Sequence, residues 1–286
     1  MSLYVQESGP ADAPTIVFLH GGGGAGWMWQ PQVDGLGEFH CLVPDLPEHG
    51  RSVDVKPFAI AESAVLIAEL IRKRAHGGRA HVVGLSEGAQ ITVALLAGAP
   101  ELVDHAIVSS ALVRPIRGAG IVGPGLIRWS FRLSVAPLRN IEWWTRLNMK
   151  RAAGVPDEYY QQFRQTFREL TESGFTNAII ENQRFRVPQG LDRVLTPTLI
   201  VVGRHEYDSM RASASDLAAA IPGSRACEVA HARKMSLAEE HNWNLTAPDL
   251  FTRMVRAWIA DQELPDALQP LRVFDRRGGS SSALAT

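Results

Sequence analysis

An α/β fold, built on a mostly parallel central sheet flanked by helices, is predicted by three observations. Short apolar runs rich in β-branched residues alternate with longer segments whose apolar residues recur at helical spacing. Several of the short runs stop abruptly at glycine or at an acidic residue, as strands do where the chain turns away from a sheet. The length of 286 residues and an apolar share of 45% are enough for one large core, with room for a subdomain.

The elements follow in order. Residues 15–20 (TIVFLH) form a strand that runs into Gly21, Gly22, Gly23 and Gly24. Residues 40–44 form a second strand, ending at Asp45. Over 59–75, Ile60, Ala64, Ile67, Ala68 and Ile71 mark a helix, closed by Arg72, Lys73 and Arg74, which suit a helix C-terminus. A third strand spans 80–84 and a helix 87–99. Residues 105–109, 198–202 and 226–230 are further strands, and 248–260 a last amphipathic helix.

Residues 113–190 break this rhythm. They contain no convincing strand, and their aromatic and arginine residues recur at helical spacing. A structureless loop of that length is implausible inside a domain, so the segment is expected to be an inserted helical subdomain. The core then comprises 1–112 and 191–275. The small, polar stretch 276–286 (RRGGSSSALAT) is expected to be a disordered tail.

Composition excludes several classes. Twenty-nine Lys and Arg against 30 Asp and Glu give a net charge of −1, which argues against a nucleic-acid partner. No apolar run reaches the roughly 18 residues needed for a membrane span, and residues 1–10 lack the basic and apolar regions of a leader. Cys41 and Cys227 form no CxxC pair and no Cys/His cluster, so neither a disulfide framework nor a metal site is expected. These features point to a cytoplasmic protein acting on small molecules, and leave the oligomeric state open. Charge is nonetheless uneven. Residues 113–190 hold 12 basic and 6 acidic residues, a net of +6 against −7 for the remainder. Solvated arginine-rich helix faces would explain this; so would attraction of anionic substrates, or contact with a membrane surface.

The chemistry concentrates at Gly84-Leu85-Ser86-Glu87-Gly88, a GxSxG motif between a predicted strand and a predicted helix. Such a turn is tight enough to strain the serine backbone, and flanking glycines let neighbouring chain approach. Two more segments stand beside it. One is the strand running into His20-Gly21-Gly22; the other is Asp45-Leu46-Pro47-Glu48-His49-Gly50-Arg51-Ser52 after the next strand. With these motifs the sequence resembles the α/β-hydrolase family, in its capped serine esterase-like branch, over residues 2–259.

The resemblance implies an α/β-hydrolase fold with a helical cap inserted after the sixth strand. It also implies a serine hydrolase that cleaves a small or medium carboxylic ester through an acyl-enzyme. Ser86 aligns with the nucleophile. Glu206, at the end of Gly203-Arg204-His205-Glu206, aligns with the acid, with Asp208 as an alternative. His241 aligns with the base, with His231 as a weaker choice. The backbone N–H groups of Gly22 and Glu87 align with the oxyanion hole. Trp27 and Met28, and from the insert Trp129, Trp143 and Trp144, are candidate substrate contacts, though packing is an equal or better use for them. No cofactor and no metal are implied. The same triad would serve lactone, carbon–carbon bond or perhydrolysis chemistry, and a hydrolase-fold binding protein with little turnover is the reading from another class. The sequence departs from the family pattern at Glu206, where Asp is commoner, and at Glu48, where glycine is usual. Glu87 puts a carboxyl beside the nucleophile, where a nearby arginine or His241 is its expected counterpart.

The same glycines carry a rival. Gly21, Gly23 and Gly26 satisfy GxGxxG after a strand, with Asp45 about 20 residues further on, the fingerprint of a dinucleotide site. Trp27, Trp29 and Pro31 crowd the helix start that such a site needs open.

Overall fold

The computed structural model describes residues 2–114, 123–231 and 233–272. The predicted tail lies outside the described residues. Eight strands make one sheet: β1 (Val5–Ser8), β2 (Thr15–Leu19), β3 (His40–Pro44), β4 (Ala80–Leu85), β5 (Val103–Ser109), β6 (Thr198–Gly203), β7 (Arg225–Val229) and β8 (Leu268–Pro270). Their order is β1-β3-β2-β4-β5-β6-β7-β8, parallel from β3 to β7 and antiparallel at both edges. Strands β2, β3 and β6 are buried along their whole length, which is why they read as unbroken apolar runs. The edge strands β1 (VQES) and β8 (LQP) carry no such run, and sequence periodicity does not find them.

The helices are α1 (Gln30–Gly35), α2 (Ile60–Arg74), α3 (Glu87–Gly98), α4 (Pro124–Ser130), α5 (Glu142–Arg151), α6 (Tyr160–Glu169), α7 (Glu172–Arg184), α8 (Asp208–Ala220), α9 (Leu237–His241), α10 (Trp243–Thr246) and α11 (Pro248–Ile259). Alternation along the strands sorts them into two layers. Val17, Val82, Val108 and Ile200 face a cluster with Ile67 and Ile71 of α2, Leu95 of α3 and Leu217 of α8. Their neighbours Phe18, Val83, Ile107 and Val201 face Trp29, Val33 of α1, and Phe251 and Met254 of α11. Burial of each aromatic in the second cluster stabilises the fold by roughly 2–3 kcal/mol.

Helices α4 to α7 all lie between β5 and β6. The helical insertion therefore leaves the fifth strand in chain order and not the sixth. A single N-terminal strand, β1, stands where the expected count needs two. Because β2 and β4 to β7 are parallel, the loops that follow them gather at one end of the sheet, the end where α/β folds place ligands.

Candidate active site

The turn from β4 into α3 is built for close approach. Ser86 has φ 55° and ψ −114°, outside the regions open to most side chains, at a cost of about 1–3 kcal/mol. Its N–H donates to the Ser109 carbonyl at 2.9 Å, while its own carbonyl accepts from Gln90 N at 3.0 Å in the first turn of α3. Glycine is obligatory on both sides. A Cβ at Gly84 would overlap the Gly88 carbonyl, and one at Gly88 would overlap the carbonyl of Leu19.

A second cluster gathers where β5 and β6 end. Glu206 is buried, and its two carboxylate oxygens face different ways. Oε1 lies 2.5 Å from Nδ1 of His241. Oε2 accepts from Ser110 Oγ at 2.7 Å and from the Gly203 N–H at 3.1 Å. Ser109 and Ser110 thus connect the two clusters: one fixes the backbone of Ser86, the next holds the carboxylate that meets His241. Asp208 is exposed in the first turn of α8.

His241 closes α9, which begins with a capping box between Ser236 and Glu239. Buried Glu240 ties this helix to the loop carrying Glu206, accepting from the His205 N–H at 2.7 Å and lying 3.0 Å from its ring. Trp243 is fully buried, stacks against Phe251 with ring centroids 4.3 Å apart, and donates Nε1–H to Ser109 Oγ at 3.0 Å. These contacts fix the long connection before His241. His231 lies 6.1 Å from the Trp243 ring, and burial depresses its pKa.

On the other side of the elbow, the Glu87 carboxyl packs flat on Gly22, within 3.0 Å of where a Cβ would stand. Glycine at 22 makes room for it. No arginine meets this carboxyl among the described residues. Its nearest titratable neighbour is His49, with Nε2 3.7 Å from Oε2. His49 Nδ1 donates to the Pro47 carbonyl at 2.8 Å, leaving Nε2 a lone pair. Burial, helped by the nearby Glu181 carboxylate, pushes the Glu87 pKa up to about 8. His20 is held neutral by burial and by the proximity of His49, its pKa lowered to about 3. It donates Nδ1–H to Gly21 O at 2.8 Å and accepts the Leu46 N–H at 3.0 Å, so its role is structural.

The dinucleotide reading fails on Asp45. Its oxygens accept from Gly26 N at 2.7 Å and Arg51 N at 2.8 Å, which spends the carboxylate on its own loop and leaves none for a ribose. Trp27 donates to Thr166 of α6 at 2.9 Å, and Met28 is buried with Trp29. On the insertion, Trp129 and Trp143 are 60% and 62% exposed, and Trp144 is half-buried against Trp143.

A family model described as the alpha/beta hydrolase family matches residues 16–275. The chain belongs to the alpha/beta hydrolase family. It is 30% identical to an AB hydrolase superfamily protein of Gibberella zeae over 89% of this chain and 83% of that one. It is 28% identical to carboxylesterase YbfK of Bacillus subtilis over 71% of this chain and 68% of that one. The enol-lactonase of Burkholderia xenovorans LB400 superposes with a TM-score of 0.70 at 21% identity, over 90% and 96% of the two chains, a likeness of fold.

Several residues of this alpha/beta hydrolase that matter at the site carry no signal in the sequence. Ser110, itself at φ 56°, and Glu240 are ordinary residues until the strands bring them beside Glu206 and His205. Glu48, where glycine is usual, also sits at positive φ (61°). The strain is held by its carboxylate, which accepts from Phe58 N at 2.8 Å and from Asn177 Nδ2 of α7 at 2.7 Å.

Proposed function

We propose that this hydrolase cleaves small or medium carboxylic esters through an acyl-enzyme on Ser86. Ser86 Oγ attacks the ester carbonyl while His241 Nε2 takes its proton. Glu206 holds Nδ1–H, which fixes the reactive tautomer and stabilises the imidazolium. The N–H groups of Gly22 and Glu87 receive the oxyanion, each contributing about 3–4 kcal/mol to the transition state. His241 returns the proton to the leaving alcohol, and water, activated the same way, releases the acid. The segment 113–190 acts as the cap of the pocket, and two buried thiols fit a reducing, cytoplasmic setting.

The observation that supports this reading is the contact of Glu206 with His241 at the end of the sheet where Ser86 sits in its strained elbow. A fluorophosphonate probe followed by peptide mass spectrometry tests it. The adduct is expected on Ser86, together with loss of p-nitrophenyl ester hydrolysis. Labelling elsewhere, or a panel on which a lactone or thioester is turned over far faster than every ester, overturns it.

The Glu87 carboxyl adds a pH dependence. Neutral, it sits harmlessly behind the oxyanion hole; ionised, it sets negative charge against a developing oxyanion. We expect kcat/KM of the wild type to fall as pH rises through about 8, and that of Glu87→Gln to stay level. The sign for stability is the same. A carboxyl pKa raised on folding gives stability that is full below the ordinary value and lost on the way up to the folded one. Parallel alkaline declines in both proteins would remove Glu87 from the account.

A further inference from the structure

The exposed large apolar side chains of the described residues are concentrated in one stretch of chain. Of the ten large apolar side chains exposed among the described residues, six lie between Leu126 and Leu147. Single exposed apolar residues are normal, but a cluster of this kind marks a contact surface. Leu126, Trp129 and Leu133 recur at helical spacing along α4 and its π-helical continuation, Phe131–Val135. Ile127 and Phe131, on the opposite side, are buried. On α5, Trp143 and Leu147 stand four apart and exposed, while Thr145 and Met149 are buried. Both helices thus turn an apolar stripe outward after satisfying their own packing.

The charge along this stretch is mainly basic. Residues 124–151 contain six Arg and Lys and one acidic residue, Glu142. Arg132 pairs with Glu172, Arg146 with Glu142 and Asp157, and Lys150 with Asp157, while Arg128 and Arg151 form no ion pair among the described residues. Tryptophan and arginine side by side suit a boundary that is apolar below and wet, anionic above. Among the described residues no helix is long and apolar enough to cross a membrane. The described side-chain hydrogen bonds of α4 and α5 stay within the insertion, and the contacts of α5 with the core run through buried Met149 and, just past its end, the Ala153 carbonyl, not through the exposed stripe.

We propose that the α4–α5 face docks on an anionic phospholipid bilayer, with Trp129 and Trp143 in the headgroup region and the arginines against lipid phosphates. Binding of this type adds buried apolar area to electrostatic attraction and needs both.

Co-sedimentation of the full chain with phosphatidylcholine vesicles, with and without phosphatidylglycerol, tests the proposal. Binding is expected to the anionic vesicles, with a blue shift in tryptophan fluorescence. It should weaken on adding salt and drop at least about tenfold on neutral vesicles. Arg128→Gln should weaken it about fivefold, the effect of one surface arginine. Trp129→Ser with Trp143→Ser should abolish the blue shift while the melting curve stays put, since both side chains are exposed. Leu195→Ser, which alters an apolar residue 92% exposed elsewhere, should change nothing. Absence of binding to anionic vesicles, or equal binding by the double tryptophan variant, overturns the proposal. So does a wild-type dimer in sedimentation velocity that the tryptophan changes dissolve, since the face would then belong to a second copy.

Discussion

Replacing His241 with alanine is expected to lower kcat for a short-chain p-nitrophenyl ester by about 10⁵- to 10⁶-fold, the largest loss of any single change here. A serine hydroxyl is a weak nucleophile until something accepts its proton, and in the proposed function that base is His241. His20 is neutral, with both ring nitrogens already engaged. His231 has no hydrogen bond to Glu206 among the described residues, and its pKa is depressed by burial. A residual rate some 10³-fold above the uncatalysed reaction should survive, because the backbone oxyanion donors remain. Near-ultraviolet circular dichroism should hardly change, since Trp243 and its Ser109 bond are untouched. Stopped-time assays with purified variant decide the matter; retention of more than a hundredth of the wild-type rate would move the base elsewhere.

Glu206→Gln should cost about 10⁴-fold, and Asp208→Asn less than about twofold. The reasoning is one of hydrogen-bond direction. Ser110 Oγ–H and the Gly203 N–H both donate to Oε2, so an amide at this position must turn its oxygen toward them. Its NH₂ then faces His241 Nδ1, which can only accept. The proton is driven to Nε2, the nitrogen that must be bare to receive the one from Ser86. The variant should fold and take up a fluorophosphonate slowly. Comparison of kcat for the two variants is the check, and a greater loss at Asp208 would reassign the acid.

Much of this was legible before any coordinates. The parallel strands are buried on both faces, so their apolar runs stood out, and α2 starts and stops where its apolar spacing and basic end said. GxSxG worked because sterics leave few ways to make that turn. The edge strands were not legible, since three or four half-exposed residues carry no period. Nor were Ser110, Glu240 and Asn177, whose partners lie 35 to 129 residues away and are chosen by topology alone. Glu87 was visible as an oddity, but the expected arginine is absent among the described residues. The partner is a neutral histidine, and burial keeps the acid protonated.

Hydrogen bonds tie the insertion to the core at several points: Thr166 to Trp27, Asn177 to Glu48, Glu181 to the Ile60 N–H, Asn182 to Gln90 and, just past α5, the Ala153 carbonyl to Asn242. They act as rivets that fasten the insertion to the core. α4 makes no hydrogen bond to the core among the described residues and is held by packing on α7. If the docking proposed above holds, whatever grips the greasy outer side of α4 takes hold of a helix that no hydrogen bond fastens to the core among the described residues.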